Sequence, residues 1–541
     1  MSVPSLRLRR QPPVDTVDSD AAVAPLSVCL VAEGSYPHYK GGVSAWCDML
    51  VSGLPEVSFD VMGLVADPGA VPVYELPANV RSLTTVPLWG TSEVLEVERD
   101  LGVTEVLKRK LGTPRHVIER RFVPLFSALL DALWTPSGDP AEFADLLREM
   151  AAYFGRYGYD VTMRSMPVWY AFQEAATVGY GRIEPWAPAV GGASLLDVTN
   201  AMRLLYRWLT PLAIPVPDVD IVHTASGGLC SIPGIVGSGR SNTAFLLTEH
   251  GIYLRERLLA LSRSKASRFE QVFQAAFAQR ITEASYAVAD LIAPGSLYNQ
   301  RWETHVGAGT DKLQTIYNGP DPAGFTPDRS VRPNSAPPTV TWLGRIDPLK
   351  DLETLIQAAA LVVAQMPDVR FVLYGKAPKG NEWYQERCVA LRDDLGLQDS
   401  VAFGGYASSA AAAYNEGDFV VLSSISEGFP YSVVEAMMCA RTVVGTDVGG
   451  VGEALEGVGR VVEPRNPGAM ADGMLAFLRA PEYTRELGEL ARERALRSFS
   501  LQQCNAAYLS AYQRLATDAR VSAASLPEFS SWGIASTGRI G

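Results

Sequence analysis

The sequence predicts an α/β protein built from two parallel-sheet, Rossmann-like domains that face each other across a cleft. Three observations carry this expectation. Short apolar runs alternate with helical patterns in both halves of the chain, a polar, Pro-rich stretch separates the halves, and polar motifs recur where the apolar runs end. At 541 residues the chain also exceeds what one hydrophobic core usually serves.

Residues 1–25 form a polar arm that is expected to be flexible. The run LSVCLVAEG at 26–34 is continuously apolar, as a strand buried on both faces requires. A Gly-containing loop, SYPHYKGGVSAW, leads into a helical pattern, and VSFDVMGLV at 57–65 reads as the second strand of a βαβ opening. From about 90 to 215 the patterns turn helical, which predicts a helical insertion. Strands resume at DVDIVHTAS (218–226), AFLLTEHGI (244–252) and DLIAPGS (290–296), with a long helical stretch over roughly 253–289, and the first domain is expected to span 26–330. The segment DRSVRPNSAPPT (328–339) suits a linker. Five further strands, TVTWLG, VRFVLYG, SVAFGGY, DFVVLSS and RTVVGTD, alternate with helices in a second domain over 335–515, and residues 519–541 are expected to be a flexible tail.

Composition removes several functional classes. The formal net charge of −12 opposes a nucleic-acid backbone over most of the surface, so any bound phosphate must be held by local cations and backbone amides. Six cysteines are scattered without a CxxC pair, which indicates neither a disulfide scaffold nor a zinc site, and no metal ion or cofactor is expected. The first 20 residues lack the apolar core of a signal peptide, and no apolar run reaches membrane-spanning length. The expected location is cytoplasmic, with any contact to the inner face of the cell membrane made through partner proteins. Ser226 with Gly227 and Gly228 lacks the GxSxG pattern of a serine hydrolase.

The most informative stretch is SEGFPYSVVEAM, where Glu427 and Glu435 stand eight residues apart around Gly428, Phe429, Pro430, Tyr431 and Ser432. A helix starting near Tyr431 or Ser432 would turn its free N–H groups toward a diphosphate. Glu435, expected in its first turn, could then accept ribose hydroxyls. A capping box joining Ser432 to Glu435 is an equal alternative. Upstream, WLGRIDPLK places Arg345 and Lys350 between a strand and a helix, a fork and a point charge suited to a diphosphate leaving group; two solvated loop cations are the plain alternative. In the first domain Gly41 and Gly42 follow the first strand, where missing side chains admit a ligand or simply make a turn. His250 ends a strand in LLTEHGIYLRER, where a neutral imidazole could bond a sugar hydroxyl or serve a structural role.

Together these residues resemble the retaining glycosyltransferase family 4, of the GT-B fold, through the GRxxxxK and E-x7-E motifs over about 335–515. The N-terminal half is similar to the PelF-type exopolysaccharide glycosyltransferases of that family through AEGSYPHYKGGVSAWCDMLVSGLPEVSFDV and LLTEHGIYLRER. The resemblance implies metal-independent transfer from a UDP-sugar, either UDP-glucose or UDP-N-acetylglucosamine, with retention of configuration. Arg345 and Lys350 would hold the diphosphate, Glu435 the ribose, and Glu427 the donor sugar, with His250 as the cleft histidine. A growing polysaccharide would be the acceptor, and export-complex proteins in a membrane would be partners. Tyr431 and Ser432 stand where many family members carry small or aliphatic residues, which leaves donor preference open. An epimerase or phosphorylase of the same fold, or a non-catalytic nucleotide-sugar-binding component, are the alternatives.

Overall fold

The computed structural model describes residues 25–89, 102–182, 193–328 and 336–525. Six strands form the first sheet: β1 (Ser27–Glu33), β2 (Ser58–Val65), β3 (Val80–Pro87), β4 (Ile221–Thr224), β5 (Ala244–Glu249) and β6 (Leu291–Pro294). They run in the order β3-β2-β1-β4-β5-β6, every pair parallel. The second sheet holds β7 (Thr339–Leu343), β8 (Arg370–Tyr374), β9 (Val401–Gly405), β10 (Phe419–Leu422), β11 (Val443–Thr446) and β12 (Arg460–Val462). Its order is β12-β11-β10-β7-β8-β9, again parallel throughout. Both orders reverse direction beside the strand that opens the domain, and crevices at such switch points are where open α/β sheets bind ligands. This is the two-domain GT-B architecture.

Central strands are buried on both faces, which is why they read as continuous apolar runs: Val28 to Ala32 of β1 are all 0% exposed. One face of the first sheet packs on helix Gly42–Gly53 and the C-terminal helix Leu501–Ser525. The other face packs on the helical insertion, whose helices Val123–Leu133, Pro140–Phe154, Met166–Gly179 and Leu195–Trp208 close around Phe122, Phe126, Phe172 and Phe273. A capping box between Ser194 and Asp197 starts the last of these helices. Residues 90–101 and 183–192 of the insertion lie outside the described residues, as do the arm at 1–24 and the linker at 329–335.

Three expectations are corrected. The strands β3 and β12 were not anticipated; both are sheet edges, and the partly exposed VRSLTTVP and the three-residue RVV lack the apolar continuity of central strands. The stretch 253–289 is two helices, Tyr253–Ser262 and Arg268–Val288, the second capped by Ser267. The span 335–515 also mixes two bodies. Helix Leu501–Ser525 crosses back to the first sheet, where Tyr512 Oη meets His223 Nδ1 at 2.7 Å and Tyr508 Oη meets Thr248 Oγ1 at 2.9 Å. That helix takes in residues 519–525 of the expected tail, and 526–541 lie outside the described residues. Among the described residues no helix is long and apolar enough to cross a membrane, and no cluster of His, Cys, Asp and Glu could hold a metal ion.

One buried acid has a consequence for stability. Glu303, on helix Leu297–Val306, is 0% exposed, and neither carboxyl oxygen meets a donor among the described residues. Burial, with the nearby Glu249 charge second, pushes this carboxyl up to about 9. A neutral acid of this kind contributes stability that is complete below the unfolded-state value near 4.5 and is lost as pH rises toward 9. Glu303→Gln is therefore expected to flatten the decline in thermal midpoint between pH 5.5 and 8.5, removing a slope of up to about 1.4 kcal/mol per pH unit. Equal slopes in the two proteins would refute it.

Candidate functional site

The loops leaving β7 and β10 bring Lys350 and Glu427 together. Lys350 Nζ donates to Glu427 Oε1 at 2.7 Å, although 77 residues separate them. Backbone bonds hold this pairing in place: Ser423 Oγ donates to Lys350 O at 2.7 Å and Ile425 N to Leu349 O at 2.9 Å. The side chains are 21% and 12% exposed, so the pair is partly desolvated yet open to a ligand. Arg345 is exposed on the same loop and makes no hydrogen bond or ion pair with a described residue. A plain solvated loop cation is thereby excluded at Lys350 and remains compatible with the structure at Arg345.

Helix Tyr431–Met438 begins where expected, with Pro430 at the N-cap. The capping-box alternative is not realised, because no side chain caps this helix. Glu435 is the fifth helical residue and so falls in the second turn rather than the first. Its carboxylate accepts from the fully buried Tyr414 hydroxyl at 2.7 Å, and burial raises its pKa. Tyr414 thus fixes one oxygen. The Phe429 ring packs on Tyr317 and Phe499 at 5.0 and 5.2 Å, and the Tyr431 hydroxyl is buried without a described partner. The Phe429 ring and the Tyr431 hydroxyl thus point into the protein.

The first domain supplies the facing wall. Gly41 and Gly42 begin helix Gly42–Gly53 and line a cavity of about 280 Å³ with Glu33, Lys40, Ser44 and Ser226. A Cβ at Gly42 would meet nothing within 4 Å, so packing does not demand glycine there. Glu33 ends β1 and accepts from Cys230 N at 3.3 Å; burial raises its carboxyl. His250 follows β5. Asn318 Nδ2 donates to its Nδ1 at 3.0 Å, so the neutral ring carries its proton on Nε2, which has no partner among the described residues. Trp46 packs edge-on against the ring at 4.3 Å, and burial pushes the imidazole down to about 4. Its neighbour Glu249 serves the fold instead: Oε1 accepts from Tyr286 Oη and Gly227 N.

The two walls touch at the Glu427 loop. A Cβ on Gly428 would stand 2.8 Å from His250 O, and one on Gly449, at φ 56°, only 2.1 Å from Glu427 O. Glycine at both positions lets the loop carrying Glu427 reach the end of β5. A second bridge is made by Glu453, whose carboxylate accepts from Leu297 N at 2.8 Å, Tyr298 N at 2.5 Å and Tyr317 Oη at 3.1 Å. A carboxylate of the second domain therefore caps a helix of the first. Glu453→Ala is expected to destabilise the protein by about 1–2 kcal/mol, read from denaturant unfolding, because two amides and a phenol lose their acceptor. An unchanged transition would refute that role.

The predicted residues thus fall in three groups. Lys350 with Glu427, and Gly428 with His250, meet directly; Arg345 lies on the Lys350 loop and Ser432 and Glu435 on the helix that follows Glu427; Gly41 and Gly42 open a cavity on the first domain. Sequence reading missed Glu33, Trp46, Asn318, Tyr414 and Glu453. Asn318 had a signal in the YNGPDP turn that closes the first domain, and Glu33 in its place at a strand end.

Residues 26–311, more than half of the chain, match the family described as "Domain of unknown function (DUF3492)", and residues 337–480 match "Glycosyl transferases group 1". The chain belongs to the DUF3492 family, and its second domain is similar to group 1 glycosyl transferases. A D-inositol 3-phosphate glycosyltransferase of Paenarthrobacter aurescens is 28% identical over 249 residues, 43% of this chain and 59% of that protein. One from Mycolicibacterium smegmatis is 33% identical over 226 residues, 39% and 50% of the two chains. The chain spans about half the length of these curated relatives. Sucrose-phosphate synthase of Thermosynechococcus elongatus superposes with a TM-score of 0.55 at 18% identity, over 91% of this chain and 100% of that one. Anabaena Alr3699/HepE, solved with UDP and glucose, gives 0.52 at 14% identity over 90% and 99%. At these identities the likeness is one of fold.

Proposed function

We infer that this protein is a glycosyltransferase that moves a hexose or N-acetylhexosamine from a UDP-sugar to a growing exopolysaccharide, with retention of configuration and without a metal ion. One observation carries the reading: Lys350 and Glu427 converge from distant parts of the chain on the loop that abuts His250. Support for a sugar donor comes from the group 1 match, and support for uridine from the UDP held by the Anabaena structure. The exopolysaccharide acceptor, the export-complex partners and the cytoplasmic site of action rest on the PelF-type resemblance of the N-terminal half.

In this reading the diphosphate takes Lys350 away from Glu427 and recruits Arg345, neutralising charge that grows as the leaving group departs. Glu427, freed from its ion pair, accepts hydroxyls of the donor sugar. The oxygen of Glu435 that Tyr414 does not hold accepts from the ribose. His250 donates from Nε2 to a sugar hydroxyl. The acceptor hydroxyl attacks the anomeric carbon on the face from which the diphosphate leaves; the bond to the phosphate oxygen breaks, the new glycosidic bond forms, and the acceptor proton passes to the departing phosphate. No protein nucleophile takes part.

Calorimetric titration with UDP, UDP-glucose, UDP-N-acetylglucosamine and a GDP-sugar, all with EDTA present, tests the reading. Micromolar, uridine-specific binding without metal is the expected result. No binding of any of the four would overturn it.

A further inference from the structure

Helix Val103–Leu111 of the insertion turns an aliphatic line away from the protein. Val103, Leu107 and Leu111 are spaced four residues apart and so stack along one face; they are 76%, 53% and 82% exposed. Other positions of the helix anchor it: Val106 is buried, Arg109 donates to Phe154 O at 3.4 Å, and Lys110, beside Leu107, pairs with Asp160 at 3.6 Å. The helix is thus pinned with its leucines outward, and no described residue covers them.

The charge around this line runs against the rest of the molecule. Residues 103–121 hold six Lys and Arg against two Glu, in a chain whose formal net charge is −12. Lys108 lies three residues from Leu111 and its side chain, 3.8 Å from the Glu105 carboxylate, is 79% exposed; the Arg115 side chain, just past the turn that ends the helix, pairs with Glu119 at 2.7 Å and is 75% exposed. Tyr170, 59% exposed, lies on helix Met166–Gly179, which packs against the turn Ile118–Phe122 that follows Arg115. Aliphatic residues in line, flanked by long-stemmed cations and a tyrosine, suit an interface where the stems rise to headgroups while the leucines enter the acyl boundary. A protein partner fits less well, because lysine is depleted from the cores of such interfaces. An acidic protein would moreover be repelled by an anionic surface except where a local cationic patch turns toward it.

We propose that the face formed by Val103, Leu107 and Leu111, with Lys108, Arg115 and Tyr170, docks this protein on an anionic lipid bilayer. This surface is independent of the sugar-transfer reading.

Co-sedimentation of the full chain with protein-free vesicles tests it, using phosphatidylcholine alone and phosphatidylcholine mixed with phosphatidylglycerol. Binding to the mixed vesicles is expected, with loss in pure phosphatidylcholine and weakening at high salt. The double variant Leu107→Glu, Leu111→Glu is expected to lower the partition coefficient at least about tenfold, and Lys108→Glu with Arg115→Glu to act in the same direction. All four positions are exposed, so an unchanged thermal midpoint certifies the fold of each variant. The proposal is overturned if the unaltered protein stays in solution with every vesicle, or if the leucine variant sediments as the unaltered protein does. Binding to native membranes but not to protein-free vesicles would overturn it in favour of a protein partner.

Discussion

Replacing Lys350 with methionine is expected to lower sugar transfer by about 10²–10³-fold, the loss typical when one preorganised charge-stabilising group is removed from a site of developing charge. Lys350 is the cation whose position is fixed, since its ammonium sits 2.7 Å from Glu427. Methionine keeps the stem and its packing while deleting the charge. The fold should survive, because the ion pair is partly open to solvent and its loss costs only a modest part of the total stability. Steady-state kinetics with a calorimetric UDP titration reads the outcome: weaker UDP binding together with lost transfer is expected. Full transfer by the variant would remove Lys350 from the mechanism.

The second large effect is expected at His250. Its Nδ1 is occupied by Asn318, so the ring can offer only an Nε2 donor. With the imidazole pushed down to about 4, it stays neutral throughout the neutral range. His250→Phe, which keeps an aromatic ring against Trp46, is expected to reduce transfer by about tenfold or more. The pH profile of the unaltered protein should show no inflection near 6.5, where an ordinary histidine titrates. An inflection there that disappears in the variant would show that the protonated ring acts. The same shift has a stability sign. A depressed histidine costs nothing above its unfolded value of 6.5, and it destabilises the fold progressively as pH falls toward 4. The fold is therefore pressed from the acid side by His250 and from the alkaline side by Glu303.

Much of the architecture was legible because the central strands of parallel sheets are buried on both faces and so leave continuous apolar runs, as in β1, β5 and β10. The edge strands β3 and β12 escaped for the converse reason. An edge strand packs on one neighbour only and tolerates polar residues, so periodicity loses its contrast. Lys350 and Glu427 were legible as candidates since each sits in a short motif at a strand end, where α/β sheets expose their loops. Which way Phe429 and Tyr431 point was not legible from their place between Glu427 and Glu435. The fold turns the Phe429 ring onto Tyr317 and Phe499 and buries the Tyr431 hydroxyl, because a large aromatic gains more from burial than from lining an open loop.

The amino-acid order was enough to establish two α/β halves, the break between them and the motif-bearing loops, because each of these depends on residues adjacent in the chain. Other features needed the folded molecule. The return of helix Leu501–Ser525 to the first sheet, the Lys350–Glu427 pair, the capping of a first-domain helix by Glu453 and the Asn318 bond that sets the His250 proton all join residues dozens to hundreds of positions apart. Such contacts are set by how the two sheets and their helices bury their faces together, and local pattern carries no record of which distant partner will be met.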